Sequence, residues 1–226
     1  MKLTIDQIQY IDTYVEKSGI EWFDLKIELV DHLADAAAQI LEDNPEIAFE
    51  VAVTKAKLAF GTKGFRPLIT SKTNQLNKNY YKRVFNYLVS FFTFPKIILS
   101  LFLIYFLIKT YQLIDDKMWF YDGLTIVLFL FSFRLFFFIF KRDRIDGKKH
   151  LALNAIKQIS MIVCNIAIFF QLGYTLFSEK LFEGENYIFF TVLWVLAFLF
   201  CVALEVISNR IYKDQKALYY QYKIAV

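Results

Sequence analysis

Residues 119–140 read WFYDGLTIVLFLFSFRLFFFIF, and this run decides the fold. Asp122 and Arg134 are its only charged side chains. Its length matches the ~20 apolar residues that the hydrocarbon core of a bilayer requires of a helix. Working outward, comparable runs occur near 94–113, 155–177 and 187–208, separated by short charged loops. The expectation is an all-α integral membrane protein, with a small N-terminal cytoplasmic helical domain followed by a four-helix transmembrane bundle. The expected division is 1–64, an acidic three-helix domain; 65–93, a basic juxtamembrane helix; 94–208, the spans; and 209–226, a cytoplasmic tail.

The composition agrees with a membrane. Of 226 residues, 57% are apolar and 19% aromatic, with 26 Phe against 7 Gly and 3 Pro. Orientation follows from loop charge. Lys141, Arg142, Arg144, Lys148 and Lys149 crowd the loop between the second and third runs, and Arg210, Lys213 and Lys216 follow the fourth. The other two loops are acidic or balanced, with Asp115, Asp116 and Lys117 in one and Glu179, Lys180, Glu183 and Glu185 in the other. The positive-inside rule then puts both termini in the cytoplasm. Residues 1–15 are polar and amphipathic rather than signal-like. Trp119, Tyr121, Tyr174 and Tyr187 fall near span ends, where aromatic belts form. Cys164 and Cys201 both sit within apolar runs and read as inert buried thiols rather than a disulfide framework.

Ahead of the spans the periodicity is helical and amphipathic. Thr4-x-x-Gln7 has the form of a capping box, and Ile8, Ile11, Tyr14 and Val15 follow at helical spacing up to Ser18-Gly19. A second helix is predicted over 21–43, with Trp22, Leu25, Leu29, His32 or Leu33, Ala36 and Ile40 on one face, and Asn44-Pro45 to stop it. A third is predicted over 47–60, closed by Gly61. A fourth begins near Pro67 and is predicted to run unbroken into the first span.

Charge divides sharply along this part. Residues 1–50 hold twelve acidic side chains against Lys2, Lys17 and Lys26, a net of −9. Residues 51–92 hold eight cations and no acid, a net of +8. Lys63, Arg66, Lys72, Lys78, Lys82 and Arg83 form most of that basic surface, just before a span. Anionic lipid headgroups are the first expected partner. Ribosomal RNA is the rival, and docking of the acidic helices on the basic one is compatible with either.

Candidate site residues fall into three further groups. Arg134 and Glu205 lie at matched depths near the cytoplasmic ends of their runs, where an ion pair is possible, although each can also snorkel alone. Asn154, Gln158 and Asn165 form a polar stripe at i, i+4, i+11, a spacing suited to hydrogen bonds with a neighbouring helix. Glu28, Asp31, His32 and Asp35 cluster on the second helix, but two ligands on one helix do not make a metal site. His150, in the basic loop, is expected at the membrane surface. Phe60-Gly-Thr-Lys-Gly64 lacks the ending and preceding strand of a phosphate loop. The chain has no HExxH, GxSxG or CxxC.

The segments LKIELVDHL (25–33), NPEIAFEVA (44–52) and AFG (59–61) together resemble the small α-helical signalling domain abbreviated HAAS. The resemblance covers about residues 5–65. Such domains precede membrane spans in bacterial proteins, some encoded beside PadR-type regulators, and the aromatic-rich style of the remainder resembles inner-membrane proteins of Bacteroidetes. The resemblance implies no enzyme, cofactor or catalytic residue, and the basic helix beyond Gly64 lies outside it.

The expected function is therefore non-enzymatic: an accessory, regulatory or scaffolding subunit of a larger membrane complex, partnered by other integral membrane proteins and taking no small-molecule substrate. The alternative is a small transporter or channel subunit using Arg134, Glu205 and the amide stripe. Mid-membrane helix breaks typical of transporters are missing, since Gly123 and Gly173 lie near span ends.

Overall fold

The structure, a computed structural model, describes residues 3–59, 65–181 and 186–225. Among them are eight α-helices: α1 (Ile5–Lys17), α2 (Phe23–Asp43), α3 (Phe49–Leu58), α4 (Arg66–Val89), α5 (Lys96–Leu113), α6 (Lys117–Lys141), α7 (Leu151–Leu181) and α8 (Asn186–Ala225). A two-stranded antiparallel hairpin, β1 (Arg144–Ile145) and β2 (Lys148–Lys149), joins α6 to α7. Among the described residues three helices are long and apolar enough to cross a membrane: α5, α6 and α8. The chain is thus nearly all-α, with the character of a membrane protein.

The helices separate into two compact units. One comprises residues 1–77, 142–155 and 211–226, the other residues 78–141 and 156–210. In the first, α1–α3 share one core. Ile11 and Val15 of α1, Leu25, Leu29, Leu33 and Ala37 of α2, Val53 and Ala56 of α3, and Phe65 just before α4 are buried together. The α2 stripe runs through Leu33, while His32 is exposed. The capping box at Thr4 is present, with Gln7 N–H donating to the Thr4 hydroxyl at 3.3 Å and the Thr4 amide donating to the Gln7 side chain at 2.8 Å. The start of α2 falls at Phe23 rather than 21, because Trp22 keeps an extended backbone and bridges in parallel with Lys149 of β2. The hairpin itself departs from the expected plain loop. Asp146 and Gly147 both take positive φ, 47° and 78°, as a two-residue primed turn demands, and Asp-Gly is a pair that tolerates it.

In the second unit α6 and α8 pack side by side in the same direction. Four links run in order along both: Tyr121 hydroxyl to Tyr187 carbonyl at 3.3 Å, Trp194 Nε1–H to Leu124 carbonyl at 2.9 Å, Phe131 against Phe198 at 5.3 Å, and Arg134 to Glu205. Tyr111 at the end of α5 stacks on Tyr187 at 4.4 Å. Tyr121, expected in a lipid-facing belt, is instead buried within this aromatic cluster, because its hydroxyl finds an acceptor between helices. Trp119 is exposed, whereas the side chains of Tyr174 and Cys164 lie outside the described residues. Cys201 is a buried free thiol 3.8 Å from the Ser132 hydroxyl.

Two further expectations are corrected. The basic helix does not run unbroken into the first span: α4 ends at Val89, a 3₁₀ turn covers Ser90–Phe92, and α5 starts at Lys96. Pro95 offers no N–H and disfavours helix in Phe94, while Ser90 and Thr93 hydroxyls draw nearby carbonyls into local bonds. The polar segment after 208 is not a separate tail. It forms the last turns of α8, whose 40 residues reach about 60 Å.

Candidate functional site

The densest polar construction lies in the first unit, where α2 faces residues 142–155 and the end of α8. Its parts are dictated by unsatisfied groups. The first N–H groups of a helix have no intrahelical acceptor and carry partial positive charge. Asp24, from α2, supplies both acceptors for α7: Leu151 N–H donates to Oδ1 at 2.7 Å and Ala152 N–H to Oδ2 at 2.8 Å. A remote carboxylate thus performs the task usually given to a neighbouring residue.

His150 immediately precedes this cap and is 0% exposed. The surface position expected for it is therefore wrong. Its ring lies 5.3 Å from Phe23 and 6.3 Å from Tyr219, and Nδ1 shares a hydrogen bond with the Gln215 side-chain oxygen at 3.1 Å. Nε2 is buried and, among the described residues, has no hydrogen-bond partner. Burial pushes the imidazole pKa below its ordinary value, outweighing the Gln215 bond and the Asp24 charge, which act the other way. The neighbouring Lys148 and Lys149 gave His150 a polar setting in sequence. The fold turns those two outward to Glu16 at 3.6 Å and Glu21 at 2.7 Å, and turns the imidazole in.

Beside it, Lys26 is buried and makes ion pairs with Asp12 and Glu16, each at 2.8 Å. Burial opposes its charge, but the bonds to Asp12 and Glu16 prevail and raise its pKa. Glu16 is held below the usual carboxylate value by its hydrogen bond with Lys26, then by that charge. The Tyr222 hydroxyl donates to Asp12 at 2.8 Å, and its ring meets Phe23 edge-on at 5.6 Å. Asp12, Asp24, Gln215 and Tyr222 escaped notice in the sequence, Lys26 counted only as a charge, and His150 was expected at the surface. Their partners are up to 210 residues away, and only the Asp-Gly turn signalled that the intervening loop was ordered.

The residues singled out from sequence fare unevenly. Arg134 donates to Glu205 at 2.6 Å, so the matched depths do become an ion pair. Lys72 pairs with Glu28 at 2.6 Å, an ion pair between the basic helix and α2, and Leu68 and Ile69 of the basic helix pack against the α1–α3 core. Arg66, Lys78, Lys82 and Arg83 are exposed, and Lys63 lies outside the described residues. Asp31, His32 and Asp35 are exposed on α2, and burial, then the Asp35 charge, raises the Asp31 pKa. Among the described residues no group of three or more His, Cys, Asp or Glu side chains is arranged to hold a metal ion. Asn165 donates to the Met161 carbonyl of its own helix at 2.9 Å rather than to a neighbour, and Gln158 is exposed. Asn154 is half-buried in the first unit. The structure therefore does not gather the three amides into one interhelical network.

No family model matches the chain, and neither does any curated protein or solved structure. What the fold defines is a class: a helical protein with three helices suited to crossing a membrane.

Proposed function

We propose that the chain is a non-enzymatic multi-pass protein of the bacterial inner membrane that serves as an accessory, regulatory or scaffolding subunit of a larger membrane complex. Both termini lie in the cytoplasm, and α7 forms a fourth span. Support for the fourth span comes from the direction of α6 and α8. Two parallel membrane helices need the chain between them to return across the bilayer, and α7, at 31 residues, is the long helix that lies between. The HAAS-like segment, with residues 142–155 and the end of α8, would form the cytoplasmic face through which a signal or a partner acts.

The observation that carries the partner is on α7. Gln158 and Asn165 are exposed on a helix whose neighbouring surface is Met161, Ile162, Phe169 and Leu172. An amide facing hydrocarbon keeps unused donors and acceptors, which another membrane helix can satisfy. Exposed Arg66, Lys78, Lys82 and Arg83 suit anionic headgroups at the same membrane face.

Purification of the tagged protein in mild detergent, with quantitative mass spectrometry, tests this. The expected result is a stoichiometric integral membrane partner that Asn165→Leu with Gln158→Leu releases. Ribosomal proteins and RNA as the sole companions would move the role to the basic helix. A partner-free protein whose solute flux is abolished by Arg134→Ala would replace the subunit with a small transporter.

A further inference from the structure

We propose that Tyr87, Ser90, Lys96 and Arg210 form a binding site for the phosphate of an anionic phospholipid headgroup. The site is distinct from the exposed cations of α4 and rests on α5 and α8 crossing the membrane.

The break between α4 and α5 builds it. Lys96 opens α5, and its ammonium lies 4.5 Å from the centroid of Tyr87 and 5.3 Å from that of Phe91. Lys96 Nζ donates to the Ser90 hydroxyl at 2.9 Å, which in turn donates to the Tyr87 carbonyl at 2.6 Å. Arg210, where the apolar part of α8 ends, brings its guanidinium to 5.4 Å from the same Tyr87 ring. The two distances put the cationic centres no further apart than about 10 Å. An aromatic face attracts a cation but carries no net charge, so two cations on one ring still repel.

Some described cations meet a carboxylate, as Arg134 does Glu205, Lys72 does Glu28, and Lys26 does Asp12 and Glu16, while Lys57, Lys109 and Lys117 each rest singly on a tyrosine ring; Tyr87 carries two cations. Among the described residues neither Lys96 nor Arg210 stands within ion-pair distance of one. The missing counter-charge points to an anion from outside the chain. A phosphate suits the set, because guanidinium binds two of its oxygens as a fork and ammonium serves as a point charge. The anion's source follows from the surroundings. Ile98, Leu99 and Phe102 are exposed on α5 directly after Lys96, a surface for acyl chains that free phosphate would leave bare.

The test is native mass spectrometry of the full-length protein in a neutral detergent, titrated with phosphatidylglycerol and, in a separate arm, with inorganic phosphate. The expected result is retained phosphatidylglycerol that Lys96→Gln with Arg210→Gln weakens roughly 10- to 30-fold. The charge-preserving Lys96→Arg with Arg210→Lys should keep most of the binding, which separates a lost site from a misfolded protein. Lys82→Gln with Arg83→Gln, in the exposed headgroup surface, should weaken binding by clearly less, about threefold at most, since exposed cations add little. Equal weakening by that second pair would mean a diffuse basic surface and overturn the site. Displacement by inorganic phosphate at comparable concentration would overturn the lipid as ligand. The measurement needs neither a partner protein nor a known orientation, so its failure is distinct from failure of the subunit role.

Discussion

The two compact units solve the same problem, burying polar groups among apolar ones, by different means. In the unit of α1–α3, polar groups are gathered into centres with several partners each. Asp24 accepts from the Leu151 and Ala152 amides, Lys26 meets two carboxylates, and Asp12 accepts from both Lys26 and Tyr222. In the unit of α6 and α8, links come singly: one indole N–H to a carbonyl, one phenol to a carbonyl, one Arg–Glu pair. Water explains the contrast. The first unit is held by removing apolar surface from water, so its charges must be excluded together with it and need full pairing. Between membrane helices lipid is as apolar as Leu, and packing with occasional hydrogen bonds drives association.

The contrast can be broken with matched core truncations. Leu29 and Leu128 are both fully buried, one in each unit. Leu29→Ala should destabilise the first unit by about 3 kcal/mol, a transfer loss plus a cavity. Leu128→Ala should forfeit mainly the cavity part, about 2 kcal/mol or less. Amide-exchange protection of α2 against α6, in detergent, reads both; equal losses would remove the distinction. Next in size is Asp24→Ala, which should cost about 1–2 kcal/mol and deprotect the Leu151 and Ala152 amides first. If those amides keep their protection, Asp24 is not the effective cap.

Acid sharpens the comparison further. His150 has a pKa lowered by burial, so its neutral form is the one the fold holds. The stability that follows is fully present above the ordinary histidine value and is lost as pH falls below it. The loss grows by at most about 1.4 kcal/mol per pH unit until the depressed folded value is reached. Asp24, Gln215, Phe23 and Tyr219 face the ring; the Gln215 bond and the Asp24 charge favour the imidazolium, and burial outweighs both. Protection factors in the first unit, corrected for the intrinsic exchange rate, should therefore fall between pH 7.5 and 5.5, and His150→Gln should flatten that dependence. Glu16 and Glu21 have lowered values, so their contribution is lost only at lower pH, through the carboxylate range. Smallest is Trp194→Phe, which removes the donor to the Leu124 carbonyl and should lower thermal stability by only about 0.6 kcal/mol.

Local signals in the chain were legible and distant ones were not. The capping box at Thr4, the stop at Asn44-Pro45 and three of the four apolar runs each depend on residues a few positions apart, and each reappears among the described residues. Arg134 and Glu205 could be matched because depth in a bilayer is a shared coordinate for residues far apart in sequence. No such coordinate links Asp12 to Tyr222 or Asp24 to Leu151. His150 misled because its neighbours Lys148 and Lys149 reach out to Glu16 and Glu21, whereas the imidazole packs against Phe23 and Tyr219 from other parts of the chain. The Asp146-Gly147 turn was present in the sequence but lacked the flanking apolar alternation that makes such a pair persuasive.

The parallel packing of α6 on α8 also sets a timetable. Trp194 and Glu205 are made 70 and 71 residues after the groups they bond, an interval of about 4–14 s at usual rates of synthesis. During it, Arg134 stands in or near the membrane without its carboxylate. Tyr222 reaches Asp12 only after 210 further residues, about 10–40 s. The helices α1 and α2 are thus completed only when the last turns of α8 have been made.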